Sequence, residues 1–153
     1  MKTLPEVEIA KELMTEAAKW SVMKWLREKK RVRRAADQAN AALDGLNAEI
    51  KEGWPETLRT AYEALATESA GAKANGQIRS KQSSAKPTNI SAIAQKIKGA
   101  DEEAYRARIL AEKTFDEAEK RLSTSLARQG CVQAIQSWEL HEKAIREAES
   151  CVT

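Results

Sequence analysis

Residues 32–50, VRRAADQANAALDGLNAEI, decide the fold. Val32, Ala36, Ala39, Leu43, Leu46 and Ile50 follow one another at spacings of 4, 3, 4, 3 and 4. That spacing is the seam of a coiled-coil-like helix. Traced backwards at about 100° per residue, the same narrow arc holds Val7, Ala10, Met14, Ala18 and Trp25. Upstream, Thr3 and Glu6 have capping-box spacing around Pro5, and no strong breaker follows until Gly53 and Pro55. The reading is therefore one helix over residues 4–52, about 70 Å long. Gly45 is its one blemish, at a cost of about 1 kcal/mol.

A second seam answers the first. Ala104, Ala107, Ala111, Phe115, Ala118, Leu122 and Leu126 form one stripe, and Ala134, Trp138, His141, Ile145, Ala148 and Val152 form another. Between them the apolar face rotates by about a third of a turn, the mark of a stutter or a break, and Gly130 is the expected break point. The expectation is a long helix over 101–150. Between the two long elements, Leu58, Tyr62 and Leu65 suggest a short helix over 55–73. The polar, Ser-rich stretch 74–88 reads as a loop, and Ile90, Ile93, Ala94 and Ile97 suggest a short helix over 89–98 that ends at Gly99. Nothing alternates as a half-buried strand would. The fold class is all-α: one domain over 1–153, an elongated three- or four-helix bundle with two long coiled-coil-like helices.

Composition narrows the function classes. Charged residues make up 32% of the chain but nearly balance, leaving a net charge of +3, less lopsided than a dedicated nucleic-acid binder. No apolar run reaches the roughly 18 residues of a membrane span, and acids interrupt the N-terminal stretch where a signal peptide is apolar. The expected location is cytoplasmic, although a secreted domain without its leader has the same sequence. Cys131 and Cys151, twenty residues apart on one helix, are expected as free thiols. The single histidine, His141, sits on a helix seam and reads as structural. The motifs of a phosphate loop, an H-E-x-x-H zinc site or a nucleophile elbow are missing. The sequence therefore points to no enzyme, no cofactor and no metal.

Two surface features remain. Lys24, Arg27, Lys30, Arg31 and Arg34 share an arc about 120° wide opposite the seam. Ile9, Leu13, Trp20 and Met23 lie off the seam and give the first helix a second apolar side. The expected function is a non-catalytic protein–protein interaction or scaffolding module that self-associates through Ile9, Leu13, Trp20 and Met23. The alternative is a binder of nucleic acid or an anionic membrane surface through the basic residues of 24–34.

Overall fold

The computed structural model describes residues 4–71 and 89–151, with the side chains of 4–65 and 90–151. The expected loop 74–88 lies outside them, as do Thr3 and Val152. Among the described residues there are five helices and no strand: α1 (Pro5–Ala17), α2 (Val22–Glu52), α3 (Glu56–Gly71), α4 (Asn89–Arg121) and α5 (Thr124–Ser150). The chain is an all-α bundle, and no described helix is long and apolar enough to cross a membrane.

Two boundaries differ from the sequence reading. The expected helix 4–52 is two helices. At the end of α1, Lys19 N donates to Glu16 O and Trp20 N to Ala17 O, a tight last turn. Ser21 then takes extended dihedrals and its Oγ accepts from Lys24 N at 3.3 Å, capping α2. Trp20 and Trp25 occupy the two ends of a hydrophobic staple around that cap, and both are buried in the same core cluster. The seam survives the bend because α1 folds back against α2. At the very start, the N-cap is Leu4, without a side-chain cap bond.

The second correction concerns residues 89–150. The helix does not stop at Gly99, and it does not break at Gly130; it breaks at Leu122–Ser123. Leu122 has φ of +52°, and Ser123 N donates to Ala118 O at 3.1 Å. This is a Schellman ending with leucine where glycine is usual. Ser123 also caps α5, its Oγ accepting from Leu126 N at 3.2 Å. Two residues thus turn the chain through a full αα-hairpin. Gly130 lies inside α5 for a different reason: a Cβ there would meet the ring of Phe115 at 2.8 Å. It is a close-approach glycine in the α4–α5 seam.

The register follows from cross-helix bonds. Along α2, Arg33, Asp44 and Lys51 reach Asp116, Arg108 and Asp101 of α4 in descending order, so α2 and α4 are antiparallel. Asn40 and Trp54 reach Trp138 and Ala148 of α5 in ascending order, so α2 and α5 are parallel. The larger core joins α1, α2, α4 and α5 around Met14, Trp25, Val32, Leu43, Phe115 and Trp138. Trp25 and Phe115 stack there at 5.7 Å and 13°. A smaller core at the other end holds Trp54, Leu58, Ala94, Ile97 and Ala148, pinned by Trp54 Nε1 donating to Ala148 O at 2.8 Å.

Candidate functional site

The sequence-identified surface residues separate into two groups. Leu13 and Trp20 are buried in the larger core, whereas Ile9 and Met23 are 62% and 69% exposed. The bend at 18–21 makes the difference. Positions placed on one face of a continuous helix are split between α1 (Ile9, Leu13), the bend (Trp20) and α2 (Met23), and only Leu13 and Trp20 turn inward. The four residues do not form a single surface.

The basic residues do. Lys24, Arg27, Lys30, Arg31 and Arg34 are all exposed along the first half of α2. Arg31 Nη1 donates to Glu28 at 3.2 Å, and Lys24 lies over the Trp20 ring at 5.1 Å. Among the described residues, Arg27, Lys30 and Arg34 have no ion-pair partner. The flanking Arg33 is instead committed to Asp116 at 2.7 Å, with Glu119 at 3.9 Å. The first turn of α2 holds no acid and carries Lys24, at the positive end of the helix dipole, where anions are favoured.

A second site was not anticipated. α2 and α4 lie side by side over α5, but their backbones rarely come close. Long side chains bridge the gap at three levels. Arg33 meets Asp116; Arg108 holds Asp44 through two bonds of 2.9 and 3.0 Å; Lys51 donates to Asp101 at 2.6 Å. Between the rungs are two clefts. The smaller, about 260 Å³, is floored by Ala134, Ser137 and Trp138. The larger, about 520 Å³, lies between α2, α3, α4 and α5 beyond the Arg108–Asp44 rung.

The larger cleft is polar and structured. Tyr62 of α3 donates to Asp101 Oδ2 at 2.6 Å and accepts from Lys51 at 3.1 Å, while Asn47 Nδ2 donates to Asp101 Oδ1 at 3.4 Å. Burial and the Asp101 contact push the Tyr62 phenol well above its ordinary pKa, so it stays a donor. Lys51 and Lys98 stand over the Tyr62 ring at 4.3 and 5.3 Å. His141, only 7% exposed, lines the cleft from α5. Burial, reinforced by Arg108 and opposed by Asp44 and Asp101, holds its pKa down to about 4, leaving the ring neutral near pH 7. Two buried polar atoms of the lining have no hydrogen-bond partner: Asn47 Oδ1 and His141 Nε2.

A sequence signal for this site exists. Asp44, Asn47 and Lys51 run one position behind the seam residues Leu43, Leu46 and Ile50, and Asp101, Tyr105 and Arg108 show the same spacing in reverse order on α4. Such flanking positions ordinarily carry solvent-facing pairs. Only the antiparallel register of α2 and α4 turns them into opposite walls. The cysteines carry no chemistry of this kind: both are free, and burial pushes the Cys131 thiol up to about 12. Among the described residues, no cluster of histidine, cysteine and carboxylate side chains could hold a metal ion. No protein-family model, curated protein or solved structure matches this chain.

Proposed function

We propose that this protein is a binding module that lays the first half of α2 along the phosphates of a nucleic acid. The observation that carries the reading is a crowded row of exposed cations, three of which, Arg27, Lys30 and Arg34, have no ion-pair partner among the described residues. Lys24/Arg27, Arg27/Lys30, Arg27/Arg31, Lys30/Arg34 and Arg31/Arg34 are like-charge neighbours three or four apart on one helix. Together they cost on the order of 1–2 kcal/mol. Lys24, in the first turn at the positive helix terminus, adds to that cost. A departure from local preference that only the Arg31–Glu28 pair and the Lys24–Trp20 contact offset marks a functional surface.

Nucleic acid is favoured over a lipid surface because of what α2 does with its apolar side. Interfacial helices sink that side into the headgroup region. In α2 it is consumed by the core through Trp25, Val32 and Ala39, and only Met23 protrudes beside the cations. The surface offers charge without an insertable face. The self-associating scaffold expected from the Leu13 and Trp20 side has less support, because both side chains pack within one copy of the chain.

The test is retention on single- and double-stranded DNA and RNA, and on anionic liposomes, at low and physiological salt. If about four phosphates are neutralised on a duplex, the logarithm of affinity falls by about 3.6 per tenfold rise in salt. Charge reversal at Arg27, Arg31 and Arg34 abolishes retention. Absence of binding at low salt refutes the proposal, as does binding that survives the reversal; preferential retention on liposomes transfers the surface to a membrane.

A further inference from the structure

We infer, resting on the phosphate-binding reading above, that the polymer is a double helix, held through its phosphates and not read for sequence. Lys24, Arg27, Lys30, Arg31 and Arg34 are exposed along a stretch of α2 about 15 Å long. A duplex carries one charge per about 1.7 Å of its axis, so the row faces about nine phosphate charges, twice what one strand offers. Charge alone therefore favours the duplex. Base stacking is the contact that reverses this order in proteins that hold single strands.

The cationic face has no platform for stacking. The chain has four tryptophans, two tyrosines and one phenylalanine. Trp20, Trp25, Trp54, Trp138 and Phe115 are all buried, and the ring of Trp20, in the bend before α2, has Lys24 over it at 5.1 Å. Tyr62 is tied to Asp101 and Lys51 at the far end of α2. Tyr105, 55% exposed, lies on α4 past the bridge from Arg108 to Asp44, and Asp44 is itself about 15 Å beyond Arg34. A strand laid along the row meets no aromatic face.

The surroundings of α2 also keep it from base edges. A helix reads those by entering the major groove, about 12 Å wide. α1 and α5 pack against α2, and α4 flanks it. At the edge of the row Arg33 holds Asp116 at 2.7 Å, with Glu119 at 3.9 Å, so carboxylates of α4 stand beside the cations. Pushed into the groove, they would approach the phosphates of its wall and be repelled. Lying across the backbone, the row meets phosphates, which carry position and no sequence.

Fluorescence anisotropy tests this with short DNA duplexes of all-A·T, all-G·C and mixed sequence, and with an oligothymidylate of the same length, at low salt. The duplexes should bind within about threefold of one another, and about tenfold or more tighter than the oligothymidylate. Gln38→Trp sets a ring one turn past Arg34 at an exposed position. It should tighten oligothymidylate binding about fivefold or more and leave duplex binding within about twofold. Oligothymidylate bound as tightly as the duplexes overturns the inference and leaves the phosphate-binding reading standing. A spread of more than about tenfold among the duplexes does the same. If Gln38→Trp binds oligothymidylate no better than the parent, stacking is not what the face lacks, and the inference falls. Binding of no probe at low salt removes the phosphate-binding reading itself, and the duplex with it.

Discussion

Gly45, Gly99 and Gly130 lie inside helices, and the structure gives Gly130 the opposite response to the other two for the same substitution. Gly45 of α2 and Gly99 of α4 have nothing within 4 Å of an added Cβ. Alanine at either site gains helix propensity alone, about 0.8–1.0 kcal/mol. Gly130 gains the same term but meets Phe115 Cδ1, Cε1 and Cγ at 2.8, 2.9 and 3.2 Å. The ring has little room to retreat, being 2% exposed and stacked on Trp25, with Arg33 at 5.7 Å from its centre. Forcing one methyl into such packing costs about 1–3 kcal/mol. The overlap falls at the upper part of that range, because two ring carbons lie under 3.0 Å. Gly130→Ala is therefore expected to lose about 1–2 kcal/mol net, while Gly99→Ala gains about 1. For a chain of this size the two midpoints should separate by about 5–10 °C. Urea unfolding followed by far-UV circular dichroism reads the difference as a shift in midpoint at constant slope. Phe115→Leu in the Gly130→Ala background should cost less than in the parent, a coupling that places the strain at that contact. If Gly130→Ala stabilises as much as Gly99→Ala, the close-approach account of the α4–α5 seam is wrong.

Leu122→Gly should stabilise by about 1 kcal/mol, since glycine removes the left-handed penalty and the leucine side chain is exposed; destabilisation in urea melts would show that the side chain packs in solution. His141 makes stability depend on pH. Its folded pKa lies near 4 against an ordinary 6.5, so its contribution is complete above pH 6.5 and is lost as pH falls to 4. The full loss is on the order of 3 kcal/mol. The stability difference between the parent and His141→Gln should shrink or reverse across that window, and a pH-independent difference contradicts a neutral buried ring. Trp54→Phe should cost about 1 kcal/mol by removing the indole bond to the Ala148 carbonyl, which keeps only the Cys151 N–H at 3.4 Å, visible as earlier loss of helix signal on heating; an unchanged midpoint would mean that water replaces the bond.

Much of the fold is legible because seam residues obey a strict period. Val32, Ala39, Leu43 and Leu46 are buried as the 4-3 spacing demands, and so are Ala104, Ala111, Phe115 and Ala118. The boundary at Gly53 is equally plain, since a glycine ends α2 and Pro55 precedes α3. The two misplaced breaks share one cause. Glycine is the customary marker of a helix end, yet Gly130 serves packing and Leu122 makes the turn. Ser21 is a cap without a glutamate three residues on, so its only local sign is the pair of flanking tryptophans. The rotation of the apolar face between Leu122 and Ala134 did report a real discontinuity, eight residues upstream of the glycine blamed for it. The cleft was hidden for another reason. Each wall, Asp44–Asn47–Lys51 or Asp101–Tyr105, looks like an ordinary wet flank of a seam, and only the tertiary register makes them face each other. His141 lies on the α5 seam as its spacing from Trp138 and Ile145 demands, but that position lines a cavity.

The three rungs between α2 and α4 have a mechanical consequence. Where α4 meets α5, alanines and a glycine bring the helices together, and close-packed interiors resist compression. Where α2 meets α4, the spacing is set by lysine, arginine and carboxylate arms that change length by rotating about single bonds. Compliance is thus concentrated along one side of the bundle. Thermal breathing should widen and narrow that side while the opposite hairpin moves as a stiff unit, and high salt, by loosening the arms, should soften it further.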